Sequence, residues 1–570
     1  MGSSSVVVPQ DGAAVQDSVT VAGASGTPQI SISGLPSGID GQFTATGSGP
    51  SGVVTFTGAS SVPAGSYPAS LTVSFAGQAV TQNFTVVSAV VAKVQASTAT
   101  NLGIGGHLEQ FISTNFQIAQ WTEGFFGTGA TTSARQATLN SLQPQHIRLQ
   151  AIGNAVPMTA DTGSASDWNF TMLDQMVQPI LASADHSPMF QLAIAPGWMC
   201  DASGHLDVAN HLNDFASYAA NLVLYYNKGG FDWGGTHFQS PSAYPITWWA
   251  IFNEPNVNSL SASDYVKVYN AVVPAMLAID PTLKFSAVEL SDYGLGSGGV
   301  GDPEQYMPTF LAGVAAPVDT IGTHLYGTCN QLSTDADLFN AVPQFAANVT
   351  YFYQALRGDA TLAATPVWVD EINVNADYAD SNGMSVCNPG QVWVLDQRAT
   401  DAFFAAWKPY AFSLLGKAGN QALHHWEYSG GPQYDEVDSN GNTLLSYWVD
   451  KALENYFPFT TAAAAPAILA TTVTGSSTVE TLATKSANGT VTIMIVNHAV
   501  NASTDNNGSG APRTVIVDTS ALGGHTAANL MTIDAATSAT IGPSASGITP
   551  SSRLAVTLPG YGVSFLTLTP

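Results

Sequence analysis

Between residues 99 and 455 short apolar runs alternate with longer helix-like stretches, and this alternation restricts the chain to a few α/β folds. Eight runs read as strands: Leu102–Gly105, His146–Ala151, Phe190–Ala195, Thr247–Phe252, Lys284–Val288, Thr320–His324, Val367–Val369 and Ala422–Trp426. Stretches of helical period lie between them, among them Met172–Ala184, Asn210–Tyr226, Ala262–Ile279, Leu338–Arg357 and Thr400–Gly416. Eight strands with intervening helices predict an α/β fold of the (β/α)₈ barrel type. Residues 6–92 instead hold short β-rich runs between Gly, Pro and Ser turns, the pattern of a β-sandwich, and a linker is expected near residues 88–98. Residues 456–570 return to strand character, with Thr490–Val496, Thr514–Val517, Leu530–Ile533 and Gly562–Thr569 as strands of a second sandwich. The expected division is 1–95, 96–458 and 459–570.

Composition narrows the function classes. The formal net charge is −26, yet only 9% of residues are charged and Lys plus Arg total 14. Nucleic acid and anionic membrane surfaces both require basic patches, so neither is an expected partner. No apolar run approaches the ~20 residues of a membrane span. The first residues carry neither a basic stretch nor an apolar run, so no signal peptide is read there. A secreted, extracellular protein is expected from composition and architecture. The three cysteines form no CxxC pair, so neither a metal site nor a cofactor is expected. Cys329 follows strand six and Cys387 follows strand seven. Adjacent strands bring their loops together, which predicts a Cys329–Cys387 disulfide with Cys200 free. Six Asn-x-Ser/Thr sequons occur, at Asn83, Asn169, Asn348, Asn488, Asn501 and Asn507.

Barrel enzymes carry reactive groups at the C-terminal ends of their strands. The fourth strand runs into Phe252-Asn253-Glu254-Pro255, and the seventh into Asp370-Glu371-Ile372-Asn373. Strands four and seven lie across from one another, so two carboxyls would face each other over one pocket. Glycoside hydrolysis needs such a pair: one carboxyl protonates the leaving oxygen and the other is ionised. Their proximity is expected to raise the pKa of one of them. Asp370 should point away from the side of Glu371. Glu427, Glu289 and Glu109 are alternative carboxylates in poorer contexts, with Glu289 the foremost. His424 and His425 are adjacent on one strand and should face opposite sides.

Asn253-Glu254-Pro255 after strand four, with a glutamate after strand seven, resembles clan A of the glycoside hydrolases. The resemblance implies a retaining enzyme with Glu254 as acid/base and Glu371 as nucleophile. It further implies that Asn253 contacts the sugar 2-hydroxyl and that Tyr326 hydrogen-bonds the nucleophile. Arg148 would lower the nucleophile's pKa, and Trp426 would form the apolar floor of the subsite. His324 is read equally as pocket lining or as structure. Arg148, Tyr326 and Trp426 have plain readings too, as a buried ion pair, a core tyrosine and interior packing. Asn-Glu-Pro-Asn with two flanking β modules is most similar to glycoside hydrolase family 39, although Asp370-Glu371-Ile372 replaces that family's Thr-Glu-Trp. Gly34-Leu35-Pro36-Ser37-Gly38 and Pro63-Ala64-Gly65-Ser66-Tyr67 resemble bacterial immunoglobulin-like modules. The implied activity is that of a monomeric β-glycosidase acting on a carbohydrate substrate. A transglycosylase on the same site and a non-catalytic carbohydrate-binding barrel are the alternatives.

Overall fold

The structure is a computed structural model and describes every residue except 23–27, 48, 76, 100–105, 118–129, 183–184, 243, 259, 292–301 and 461–463. Its centre is a closed barrel of eight parallel strands. In chain order these are Phe111–Gln117, Arg148–Gln150, Met189–Leu192, Trp248–Ile251, Lys284–Ser291, Thr320–Thr328, Val367–Asn375 and Asn420–His425. Helices such as Val208–Asn227, Ala262–Ile279 and Asp335–Arg357 form the outer ring. Strand seven is buried at all nine positions, as expected of a parallel sheet covered on both faces.

Strands two to eight fall on the runs expected from the sequence. The expected first strand, Leu102–Gly105, lies outside the described residues, and barrel strand one is Phe111–Gln117. Its sequence, Phe-Ile-Ser-Thr-Asn-Phe-Gln, hides it from a search for apolar runs. Two of its buried polar residues have partners on both faces of the sheet: Thr114 donates to Glu436 and Asn115 to the carbonyls of Asp370 and His425.

The barrel interior has two layers. Low in the barrel, Phe111, Trp248, Trp368 and His424 form an aromatic plug, with Phe111–Trp368 centroids 5.4 Å apart and Trp248–Trp368 centroids 4.8 Å apart. Above it the interior is polar and charged. His424 faces this interior, whereas His425 faces out and pairs with Asp450 of helix Leu445–Tyr456.

Strand Gln78–Thr98, 21 residues long, overturns the expected linker. Its first half pairs with Gly65–Phe75 of the N-terminal β module. Its second half pairs with Ala467–Thr474 and Arg513–Asp518, inside the C-terminal sheet. The reason is local: Val86 to Val94 is a β-branched run without Gly or Pro, which favours a continuous strand. The C-terminal sheet is tied to the barrel as well. Asp335 accepts hydrogen bonds from the Asn507 and Gly508 amides, both at 2.8 Å, and from Tyr561 Oη at 3.0 Å. Of the sequons, Asn348 is 1% exposed within a helix and is closed to glycosylation.

Cys329 and Cys387 form the disulfide, with Cα atoms 5.7 Å apart, and Cys200 is a free thiol. Among the described residues no helix is long and apolar enough to cross a membrane.

Candidate active site

Arg148 on strand two organises the polar layer. Its guanidinium is fully buried and donates to Glu371 Oε1 at 2.6 Å, to Asn115 Oδ1 and Asn253 Oδ1 at 3.0 Å each, and to Glu289 Oε2 at 3.3 Å. It also lies 3.2 Å from His324 Nε2. The planar fork is what allows one side chain to satisfy acceptors from strands one, four, five and seven. Arg148 is therefore both a buried ion pair and a direct partner of Glu371.

Glu254 and Glu371 stand together at the C-terminal end of the barrel. His324 Nδ1 contacts Glu254 Oε1 at 2.8 Å and Glu371 Oε2 at 3.5 Å. Tyr326 Oη donates to Glu371 Oε2 at 2.8 Å. Ligand atoms of Glu254, His324 and Glu371 all lie within 4.8 Å of one another. The structure thus brings Glu254, Glu371, Arg148, Asn253, His324 and Tyr326 into one network. Trp426 follows strand eight, is 8% exposed, and receives a hydrogen bond on its carbonyl from Asn373. Glu109 precedes strand one at the opposite end of the barrel.

Two further carboxyls enter this interior where the sheet bulges. The register with strand six shifts between Ala287 and Leu290 on strand five, and Val288 and Glu289 have φ of 79° and 46°. Left-handed φ at a β-branched residue is uncommon, and a bulge re-aims side chains. It turns Glu289 inward, to Arg148 and to Gln191, which donates to it at 3.3 Å. Strand four ends with the same feature: Phe252 and Glu254 have φ of 70° and 44°, and the Glu254 amide donates to the Glu289 carbonyl at 3.1 Å.

On strand seven, Thr323 pairs with Val369 and His324 with Glu371, so Asp370 is the extra residue. Simple alternation expected Asp370 to point away from the site. The bulge instead brings its Oδ1 within 3.5 Å of His324 Nε2. Gly322 makes this possible, because a Cβ there would lie 2.3 Å from Asp370 Oδ2 and 2.4 Å from Glu289 Oε1.

Electrostatics differ from the sequence expectation at Glu254. Burial pushes its carboxyl pKa up, but the hydrogen bond and charge of His324 outweigh burial and leave it below the ordinary value. The raised carboxyls are Asp370, through burial and the charge of Glu289, and Glu427, through burial and the charge of Asp435. Burial lowers the His324 pKa, yet Glu371, Glu254 and Glu289 together raise it well above the ordinary range.

Among the described residues, three groups of side chains have the donor atoms to hold a cation: Glu254, His324 and Glu371; Glu289, His324 and Asp370; and His425, Glu436 and Asp450. Around the first two the Arg148 guanidinium already supplies the positive charge, at Glu371 and Glu289. Beside the third, Lys408 Nζ lies 3.5 Å from Asp450. Sequence reasoning missed Asn115 and Gln191 as site residues. The available signal was a polar residue inside an otherwise strand-like run.

No protein-family model matches the chain, and no curated protein sequence does. Solved structures do. A monomeric β-xylosidase from Caulobacter crescentus is 15% identical, with a TM-score of 0.54 over 85% of this chain and 100% of that one. A glycoside hydrolase family 39 enzyme from Xanthomonas axonopodis pv. citri is 14% identical, with a TM-score of 0.52 over 85% and 98%. A bacterial orthologue of human α-L-iduronidase is 15% identical, with a TM-score of 0.56 over 84% of each chain. In fold, then, this chain is similar to clan A glycoside hydrolases, with family 39 among its structural neighbours.

Proposed function

We propose that the chain is a secreted, monomeric, retaining β-glycosidase, with Glu371 as nucleophile and Glu254 as acid/base. One observation carries the reading: Glu254 and Glu371, on opposed strands, bring carboxylate oxygens within 4.8 Å of one another. That spacing fits the ~5–5.5 Å of double displacement better than the ~6.5–9.5 Å that leaves room for a water. The surroundings support the roles. Arg148 and Tyr326 each hydrogen-bond one oxygen of Glu371, which fixes the orientation of its carboxyl for attack on the anomeric carbon. Asn253 is held by Arg148 and by Gln191 at 2.8 Å, an orientation suited to a sugar hydroxyl. Trp426 is read as the apolar floor of the subsite. Glu254 as a carboxylate is the form that activates water in the second step, and for the first step it carries a proton on the oxygen that His324 does not bond.

The β-xylosidase among the structural neighbours suggests β-xylosides as first substrates. The disulfide suits an extracellular setting. The N-terminal β module is read as immunoglobulin-like.

The test is chemical rescue. Glu371→Gly should abolish hydrolysis of an aryl β-glycoside. Added azide should restore turnover and yield the α-glycosyl azide, because a single displacement inverts. A β-product, or no rescue in a folded variant that binds substrate, would refute the assignment.

A further inference from the structure

The contacts of His324 fix more than its position. Arg148 can only donate a hydrogen bond. Its Nη2, 3.2 Å from His324 Nε2, therefore either donates to a bare Nε2 or faces a fully protonated ring. In both cases Nδ1 carries a proton, and that proton points at Glu254 Oε1, 2.8 Å away. Glu254 accepts on Oε1, so the proton it delivers sits on Oε2.

The ring is buried and faces charge on both sides. On the Nδ1 side lie Glu254 and, at 3.5 Å, Glu371, which also binds Tyr326. On the Nε2 side lie Arg148, Asp370 at 3.5 Å and Glu289 at 3.7 Å. Glu427 on the strand-eight loop adds a carboxyl near Glu371. His424 on strand eight is bonded to the His146 carbonyl, and Tyr265 of helix Ala262–Ile279 donates to the Ile251 carbonyl.

Glu289 and Asp370 are not equivalent. Glu289 accepts from Arg148, Gln191 and Ser286, whereas no donor group reaches either oxygen of Asp370, whose side-chain hydrogen-bond partner is Glu289 itself. A fully buried carboxyl without donors, beside a carboxylate that has three, is the one that keeps its proton.

We propose that Glu289 and Asp370 are positioning residues: Asp370 holds a proton, and Glu289 is the fixed charge that, with Arg148, keeps His324 with its Nδ1–H on Glu254. The pair thereby sets the pH range over which Glu254 supplies a proton. This last step rests on the glycosidase reading, whereas the hydrogen-bond assignment does not.

Two measurements on the full chain test it. The first is a histidine ¹⁵N spectrum of the wild type from pH 5 to 8, with His324 assigned by loss of its signals in His324→Gln. His324 Nδ1 is expected to remain protonated throughout, and an imine-type Nδ1 signal would overturn the proposal. This readout needs no turnover, so a wild type without activity on phenyl β-xyloside or β-glucoside refutes the glycosidase reading alone. The second is the pH profile of kcat/KM on the phenyl glycoside. Glu289→Gln removes a negative charge and should move the alkaline limb about one pH unit or more to lower pH. Asp370→Asn resembles the protonated acid and should leave the limb within about 0.3 units. The reverse pattern, or two unmoved limbs, would overturn the assignment. If Glu289→Gln fails to fold, Asp370→Asn still decides, because an alkaline limb that it moves by about a full pH unit overturns the assignment.

Discussion

Glu454→Gln is expected to stabilise the protein at alkaline pH and to do nothing in mild acid. Glu454 lies on helix Leu445–Tyr456, beside Ile112 of strand one. The Ile112 amide bonds its carboxyl, while Oε2 has no hydrogen-bond partner. Burial pushes the pKa from the ordinary 4.5 up to about 7. A carboxyl raised in the folded state stabilises fully below the unfolded value, and that contribution is lost as pH rises through the folded one. The window is therefore pH 4.5 to 7, with the full penalty above it. Two and a half pH units at about 1.4 kcal/mol each give roughly 3.5 kcal/mol. Partial solvent screening reduces this to about 1.5–3 kcal/mol. Glutamine keeps an acceptor for Ile112 and cannot ionise. Urea unfolding of wild type and Glu454→Gln at pH 4.5 and 8 measures the difference directly. Equal midpoint shifts at both pH values, or a destabilised variant at pH 8, would refute the reasoning. Burial also raises Asp435 to about 7, with the same sign. His498, lowered by burial to about 4, contributes stability above pH 6.5 that is lost as pH falls toward 4.

Glu254→Gln should cost about 10²–10⁴-fold on glycosides with poor leaving groups and far less on activated aryl glycosides, and steady-state kinetics on both will show equal losses if the role is wrong. Removing the 58-residue cross-link with Cys329→Ser and Cys387→Ser should destabilise the chain by about 2–4 kcal/mol, read from denaturant midpoints with and without reductant. Gly322→Ala, whose Cβ would press on Asp370 and Glu289, should cost about 1–3 kcal/mol, and a neutral effect on thermal unfolding would mean that the two carboxyls are free to move apart.

The barrel was legible in the sequence because its period is local. Seven of the eight strands announce themselves as apolar runs, and the helices between them follow a 3.6-residue repeat. Glu254 and Glu371 were legible for the same reason, since each terminates such a run. The disulfide followed from the adjacency of strands six and seven. The sequence alone did not show strand one, the continuous strand Gln78–Thr98 shared by two sheets, or the inward turn of Asp370. Strand one carries Thr114 and Asn115, whose partners Glu436, Arg148 and Asp370 lie far along the chain. Asp370 and Glu289 face the interior because bulges break the alternation of sides, and a bulge is a relation between two strands that neither sequence contains by itself. The charge state of the site is likewise tertiary. Proximity of two carboxylates suggested that one of them is raised, but at Glu254 the ring of His324, seventy residues away in the chain and 2.8 Å from its oxygen, leaves the carboxyl below its ordinary value.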